Sequence, residues 1–145
     1  MNVPAPTRVL LADDHNLVRA GVRRILESHP GIEVVGEVAD GAAALEALRR
    51  TPADVLVLDL SMPGMDGFET LRRVRAVAPA IKVLVLSMHA DAEYVARAVR
   101  EGADGYLLKD SAVQDLVSAV EAVRAGQVFH SPEVQRSLSE LVRGG

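Results

Sequence analysis

The chain has 145 residues, 49% of them hydrophobic and 25% charged, with a formal net charge of −4. That length suits one domain able to bury a core unaided, and the lack of cysteine excludes a disulfide framework, a thiolate zinc site and a cysteine nucleophile. Sixteen basic residues against twenty acidic ones leave no positive excess for nucleic acid; MNVPAPTR does not read as a signal peptide and no apolar run nears the ~20 residues of a membrane span, so the expectation is a cytoplasmic chain without membrane contact.

Val9–Ala12 (VLLA) reads as a first strand, followed by Leu17, Val18, Val22, Ile25 and Leu26 at helical spacing and a stop at Pro30-Gly31. Ile32–Val38 is a second strand, and Asp40 caps a helix carrying Ala44, Leu45 and Leu48. Val55–Leu60 is the third strand, succeeded by a helix with Leu71, Val74 and Val77 that ends before Pro79. Ile81–Leu86 is the fourth, followed by the thinner stripe of Val95 and Val99. A weaker fifth strand, Gly105–Leu108, precedes Ser111-Ala-Val-Gln114, which matches a capping box for a helix bearing Leu116, Val117, Val120 and Val123 and closing at Gly126.

Runs such as VLVL, apolar at successive positions, require burial on both faces, as in a parallel sheet covered by helices. Five β-α alternations from about Arg8 to Ala125 therefore predict a doubly wound α/β fold, (βα)5, with a five-stranded parallel sheet. Beyond it, Ser131-Pro132-Glu133 reads as an N-cap with proline at the first helical position, and Val134, Leu138, Leu141 and Val142 form a stripe. A sixth helix is expected there, outside the five-fold pattern and ending at Gly144-Gly145.

In such a sheet ligands bind beyond the carboxyl ends of the strands. There the sequence places Asp13-Asp14 after the first strand, Asp59 after the third, Ser87 after the fourth and Lys109 after the fifth. A single strand-end aspartate commonly does no more than cap a helix; these five residues at four strand ends converge on chemistry. Three clustered carboxylates repel and do not all stay ionised without a cation, and an all-oxygen set suits Mg²⁺ best. Three negative charges and one positive leave two uncompensated, which a divalent ion cancels. An acyl phosphate on Asp59 would leave the site near about −1 with the metal and about −3 without it, so phosphoryl transfer should require metal.

LLADDH, VLVLDLSMPGMDG, VLVLS and GADGYLLKD resemble the receiver domain of two-component response regulators. ADDHNLVRAGVRRIL, VGEVADG and AGQVFHSPEV resemble its NarL/LuxR subgroup. The resemblance implies a flavodoxin-like receiver over residues 7–125 and, over residues 126–145, a linker helix toward a DNA-binding domain absent from this chain. It implies that Asp59 is the phosphoacceptor, serving a sensor histidine kinase. Asp14, Asp59 and the backbone carbonyl of Ser61 would hold Mg²⁺, with Asp13 acting through water. Lys109 would pair with the phosphoryl oxygens and Ser87 would hydrogen-bond one of them. Tyr106 would be the switch aromatic that moves inward as Ser87 closes on the phosphate. The expected function is a phosphorylation-dependent signalling switch rather than an enzyme, with transcription controlled through the absent domain and weak or phosphorylation-dependent homodimerisation. For that dimer the face of the fourth helix, fifth strand and fifth helix is expected, with the first and fifth helices as a rival.

Other residues carry less. Pro63 and Gly64 read as the turn into the third helix, Gly67 as a close-packing position, and Met62 and Met65 as packing residues. His15, His29, His89 and His130 lack the spacing of a metal cluster and read as solvated or helix-end side chains. His89, two residues after Ser87, is the exception, placed to tune acyl-phosphate hydrolysis. Asp110 follows Lys109 where many receivers have proline, so no cis bond is expected. The alternatives are a stand-alone receiver acting by protein contacts and an aspartyl-phosphate phosphatase. The latter needs an acid/base Asp where Ser61 stands and a cap for which 145 residues leave no room. Neither GxxxxGK[ST] nor GxGxxG occurs to support nucleotide binding.

Overall fold

Successive side chains of a strand point to opposite faces, so a run of Val and Leu seen from both sides needs two covering layers. The computed structural model, which describes residues 5–62, 64 and 66–144, has both layers. Its elements are β1 (Thr7–Ala12), α1 (Asn16–Glu27), β2 (Ile32–Val38), α2 (Gly41–Arg50), β3 (Val55–Asp59), α3 (Gly67–Val77), β4 (Lys82–Ser87), α4 (Ala92–Arg100), β5 (Gly105–Leu108), α5 (Ala112–Arg124), β6 (Phe129–His130) and α6 (Pro132–Gly144). The strands are parallel in the order β2-β1-β3-β4-β5-β6.

Val9, Leu11, Val57, Leu84, Leu86 and Leu107 pack with Leu26 of α1 and with Leu116, Val120 and Val123 of α5 on one face. Leu10, Leu58, Val83, Val85 and Tyr106 pack on the other with Leu45 of α2, Leu71 and Val74 of α3, and Val95 and Ala98 of α4. Each such Leu or Val contributes about 1.5–3 kcal/mol by leaving water.

The flavodoxin-like doubly wound fold agrees with the sequence; the count of five strands does not. The sixth strand, β6, is only two residues long and pairs Gly105 with Phe129 and Tyr106 with His130. It turns the segment after α5 into part of the sheet, and α6 follows it back across the α4 side. Val134 is fully buried in the same cluster as Val95, Ala98, Tyr106 and Leu108, and Leu138 packs beside it. The chain's own β6 and α6 therefore occupy the sheet edge where self-association through α4, β5 and α5 was expected.

Local signals were mostly obeyed. Asp40 Oδ1 accepts from the Ala43 N–H, capping α2, and Gly126 closes α5 at φ +84°, a conformation that favours glycine. The capping box at Ser111 is not formed. Its hydroxyl makes no cap bond, and α5 is entered through a single 3-10 turn at Lys109–Ser111. That turn itself supplies backbone partners where a cap would otherwise be needed. Leu17 and Val18, assigned to the apolar stripe of α1, are exposed instead, because the first turn of α1 starts beyond the end of β1. Met62 is buried in the core as expected. Pro63, Met65 and Gly145 lie outside the described residues.

Candidate functional site

The reversal of strand order falls between β1 and β3, which are neighbours although β2 comes between them in sequence. β1 leads into α1 on one face of the sheet and β3 into α3 on the other, so the two connections part at the carboxyl edge. Asp13 and Asp14 follow β1 directly, and Asp59 is the last residue of β3. Asp59 is fully buried. Its Oδ1 accepts from the Ser61 N–H at 2.9 Å, and its Oδ2 stands 3.2 Å from Lys109 Nζ. Lys109 begins the turn after β5, so two strands set the length of that ion pair. The Lys109–Asp110 peptide is trans, as expected in the absence of proline.

Asp13 is buried and spends Oδ1 on the His15 N–H at 2.8 Å. Burial pushes its carboxyl up from the usual range and the nearby Asp59 charge adds to this, while the His15 N–H and the Lys109 charge pull it down. Three oxygens of the cluster, Asp13 Oδ2, Asp14 Oδ1 and Asp59 Oδ2, are buried without a hydrogen bond, the nearest nitrogens being Lys109 Nζ at 3.2 Å from Asp59 Oδ2 and His15 Nδ1 at 3.1 Å from Asp14 Oδ1. An unsatisfied buried carboxylate oxygen is costly, and three at one point are the complement of a cation. The all-oxygen chemistry of Asp13, Asp14 and Asp59 fits Mg²⁺.

Ser87, the last residue of β4, lies one position beyond Leu86, the register partner of Asp59. It is fully buried, its Oγ accepts from the His89 N–H at 3.0 Å, and its hydroxyl lies within hydrogen-bond reach of Tyr106 and Tyr94. Tyr106 is fully buried, in the inward position, and burial pushes its hydroxyl far above the ordinary range. The structure thus gathers Asp13, Asp14, Asp59 and Lys109 directly and places Ser87 on the adjoining strand β4 and Tyr106 on β5, one strand further out.

Sequence reasoning missed His15 and Arg19. His15 Nδ1 lies 3.1 Å from Asp14 Oδ1, within the carboxylate cluster. The signal was its adjacency to the aspartate pair, overlooked because histidine was tested against histidine. Arg19 donates to the Asp13 carbonyl at 2.6 Å and to Glu37 Oε1 at 3.0 Å, pinning the turn between β1 and α1 to β2. His89 is exposed as expected, but its ring lies against Tyr94, 4.4 Å between centroids. Tyr94 meets Phe68 edge-on at 5.0 Å, so these rings tie the loop after β4 to α3 and α4. His130 is half-buried in β6 rather than solvated.

Comparison with known proteins gives this arrangement its class. Residues 9–121 match the family model for the response regulator receiver domain, and the chain belongs to that family. It is 42% identical over 135 residues to the response regulator UvrY of Escherichia coli K12, covering 92% of this chain and 62% of UvrY. A two-component response regulator of the LuxR family from Aurantimonas sp. SI85-9A1 superposes with a TM-score of 0.91 at 38% identity, over 95% of this chain and 99% of that one. The RcsB response regulator of Salmonella typhimurium, in a structure described for its conformational dynamism in DNA interaction, superposes at 0.88 with 32% identity, over 94% and 68%. The chain is thus a receiver of the NarL/LuxR kind, and it spans about three-fifths of the length of UvrY. Among the described residues no helix is long and apolar enough to cross a membrane.

Proposed function

We propose that Asp59 accepts a phosphoryl group from a phosphohistidine of a sensor histidine kinase and that the acyl phosphate switches the chain's contacts. The observation that carries this reading is one fully buried carboxylate held between two others and an ammonium group at a strand-order reversal. An Asp59 carboxylate oxygen attacks phosphorus, the P–N bond breaks, and the departing imidazole nitrogen keeps the bonding pair and takes up a proton. The Ser61 N–H holds Oδ1 and so orients the carboxylate. Lys109 stays within reach of the added negative charge, and the Ser87 hydroxyl turns to donate to a phosphoryl oxygen. Mg²⁺, when bound by Asp14, Asp59 and the Ser61 carbonyl with Asp13 through water, supplies charge neutralisation for that transfer. Catalysis beyond the chain's own phosphorylation and dephosphorylation is not part of this function.

Tyr106, at the register position facing β6, passes the change toward the C-terminal segment, and His89 at the same loop tunes the lifetime of the acyl phosphate. Residues 126–145 lead toward a DNA-binding domain outside this chain, through which transcription is controlled; the kinship with RcsB, described for its DNA interaction, supports this output. The chain also self-associates weakly in response to phosphorylation, and the covering of the β5 edge favours α1 and α5 for that contact. The protein works in the cytoplasm.

Intact mass after acetyl phosphate and Mg²⁺ tests the centre of the proposal. The wild type gains one phosphoryl mass, and Asp59→Asn or EDTA abolishes it. Labelling that persists in Asp59→Asn, without having moved to Ser61 or another hydroxyl, overturns it. Gel shifts with the 145-residue chain should give no specific DNA complex, and sedimentation with and without beryllofluoride reads the association.

A further inference from the structure

His15 adds an imidazole nitrogen to a donor set that is otherwise all oxygen. Its Nδ1 is 3.1 Å from Asp14 Oδ1, 3.4 Å from Asp13 Oδ1 and 3.8 Å from Asp59 Oδ2. One donor from each of the four residues lies within 4.8 Å of all the others. Donors around an ion with bonds near 2.1 Å stand about 3 Å apart when adjacent and about 4 Å apart when opposite, so the 3.1 Å and 3.8 Å from His15 Nδ1 to Asp14 Oδ1 and Asp59 Oδ2 suit two oxygens that share an ion with it, Asp13 acting through water.

A second observation points the same way. Asp13, its side chain 5% exposed, aims a buried Oδ2 at this point without a hydrogen-bond partner, and the fully buried Asp59 Oδ2 beside it meets only the Lys109 ammonium at 3.2 Å. His15 is held through its backbone, its N–H donating to Asp13 Oδ1 and its carbonyl accepting from the Arg19 N–H. Its ring makes no cap bond to α1 and is 56% exposed, so neither helix nor core claims it.

We propose that His15 Nδ1 is a further protein ligand to the divalent ion. It biases the site toward ions that accept nitrogen, such as Mn²⁺, Co²⁺ and Ni²⁺, and away from Mg²⁺. Magnesium prefers oxygen and retains its waters, whereas imidazole suits the first-row transition ions. An all-oxygen site already binds Ni²⁺ more tightly than Mg²⁺, so the distinguishing quantity is how far His15 changes that ratio. This inference rests on the metal site of the proposed function.

Calorimetric titration of the untagged chain with Mg²⁺ and, separately, Ni²⁺ tests it in wild type, His15→Ala and Asp14→Asn. His15→Ala should weaken Ni²⁺ at least about tenfold and change Mg²⁺ by less than about twofold. The visible spectrum of the Co²⁺ complex should move toward that of an all-oxygen site in the same variant. Asp14→Asn should weaken both ions. An unchanged Ni²⁺-to-Mg²⁺ ratio in His15→Ala overturns the proposal. So does an equal tightening of both ions, which would make His15 a mere counter-charge to Asp14. A wild type that binds neither ion overturns the metal site itself, a result separable from the other two.

Discussion

Tyr106 Oη donates a 2.6 Å hydrogen bond to the His89 carbonyl, joining the middle of β5 to the loop after β4. The His89 N–H in turn donates to Ser87 Oγ at 3.0 Å. The peptide groups on either side of His89 are therefore anchored to the side chains of Ser87 on β4 and Tyr106 on β5, the two strands beyond Asp59. A shift of Ser87 cannot leave that loop, or the Tyr106 ring, where they are.

Replacement of Tyr106 by Phe should separate the bond from the packing. His89 is exposed, so water can satisfy its carbonyl, and the loss should be about 1 kcal/mol. Tyr106→Ala leaves a void in a fully buried site and should cost about 3–5 kcal/mol, while acetyl phosphate labelling of Asp59 persists. Equal destabilisation of the two variants in urea would show that the hydroxyl, not the ring, carries the stability.

Gly67→Ala should be among the more damaging single-methyl additions. A Cβ at this position would stand 2.2 Å from the Leu60 carbonyl oxygen and 2.7 Å from Leu60 Cα, both backbone atoms next to Asp59. Relief must move either α3 or the residues after β3, at a cost of about 3 kcal/mol. Thermal unfolding reads the loss, and reduced phosphorylation of the folded fraction reads the displacement.

Ser131→Ala removes the acceptor of the buried Leu108 N–H, now bonded to Ser131 Oγ at 3.1 Å. An orphaned donor in that position costs about 1–3 kcal/mol. Amide exchange at Leu108 should accelerate well before that of Leu84 or Val57. Unaltered exchange at Leu108 would mean that a different acceptor takes over.

Acid should loosen the C-terminal segment through His130. Burial lowers its imidazole below the ordinary value of 6.5, against a smaller upward pull from Gln135. The unfolded chain then binds a proton that the folded one refuses, so stability is intact above about pH 6.5 and declines as pH falls toward the lowered folded value. His130→Phe should flatten this limb in urea titrations between about pH 7 and pH 5. Persistence of the slope in that variant would assign it to another group.

Mg²⁺ should stabilise the fold by mass action, by about 2.7 kcal/mol at a hundredfold excess over its Kd. Differential scanning fluorimetry should show the shift in wild type and its loss in Asp14→Asn. A comparable shift in both proteins would place the ion elsewhere.

The central strands were legible because parallel strands buried on both faces leave unbroken apolar runs, and VLVLD and KVLVLS are such runs. The strand-end aspartates were legible for a related reason, since a carboxylate directly after such a run must lie at the sheet edge. Phe129 and His130 were not, because two residues carry no periodicity and their pairing depends on β5, over twenty residues earlier. Ser131 showed the composition of an N-cap, yet its hydroxyl went to Leu108, since a buried N–H from β5 competes for it. The burial of Val134 was legible in the stripe of α6, but not the surface it meets, because α4 contributes only a short row of Val95 and Ala98.

The short sixth strand also decides how this polypeptide can be shortened. Cleavage after Ala125 keeps every residue matched by the receiver family, yet strips the neighbour from β5. The Tyr106 carbonyl, which accepts from the Ser131 N–H, and the Leu108 N–H would then face solvent along an apolar strand. Bare edges of this kind are templates for strand addition by other molecules. A 125-residue version should therefore precipitate or exchange strands at concentrations where the 145-residue chain stays dispersed, and the two-residue strand is, in practical terms, the protein's guard against its own sheet.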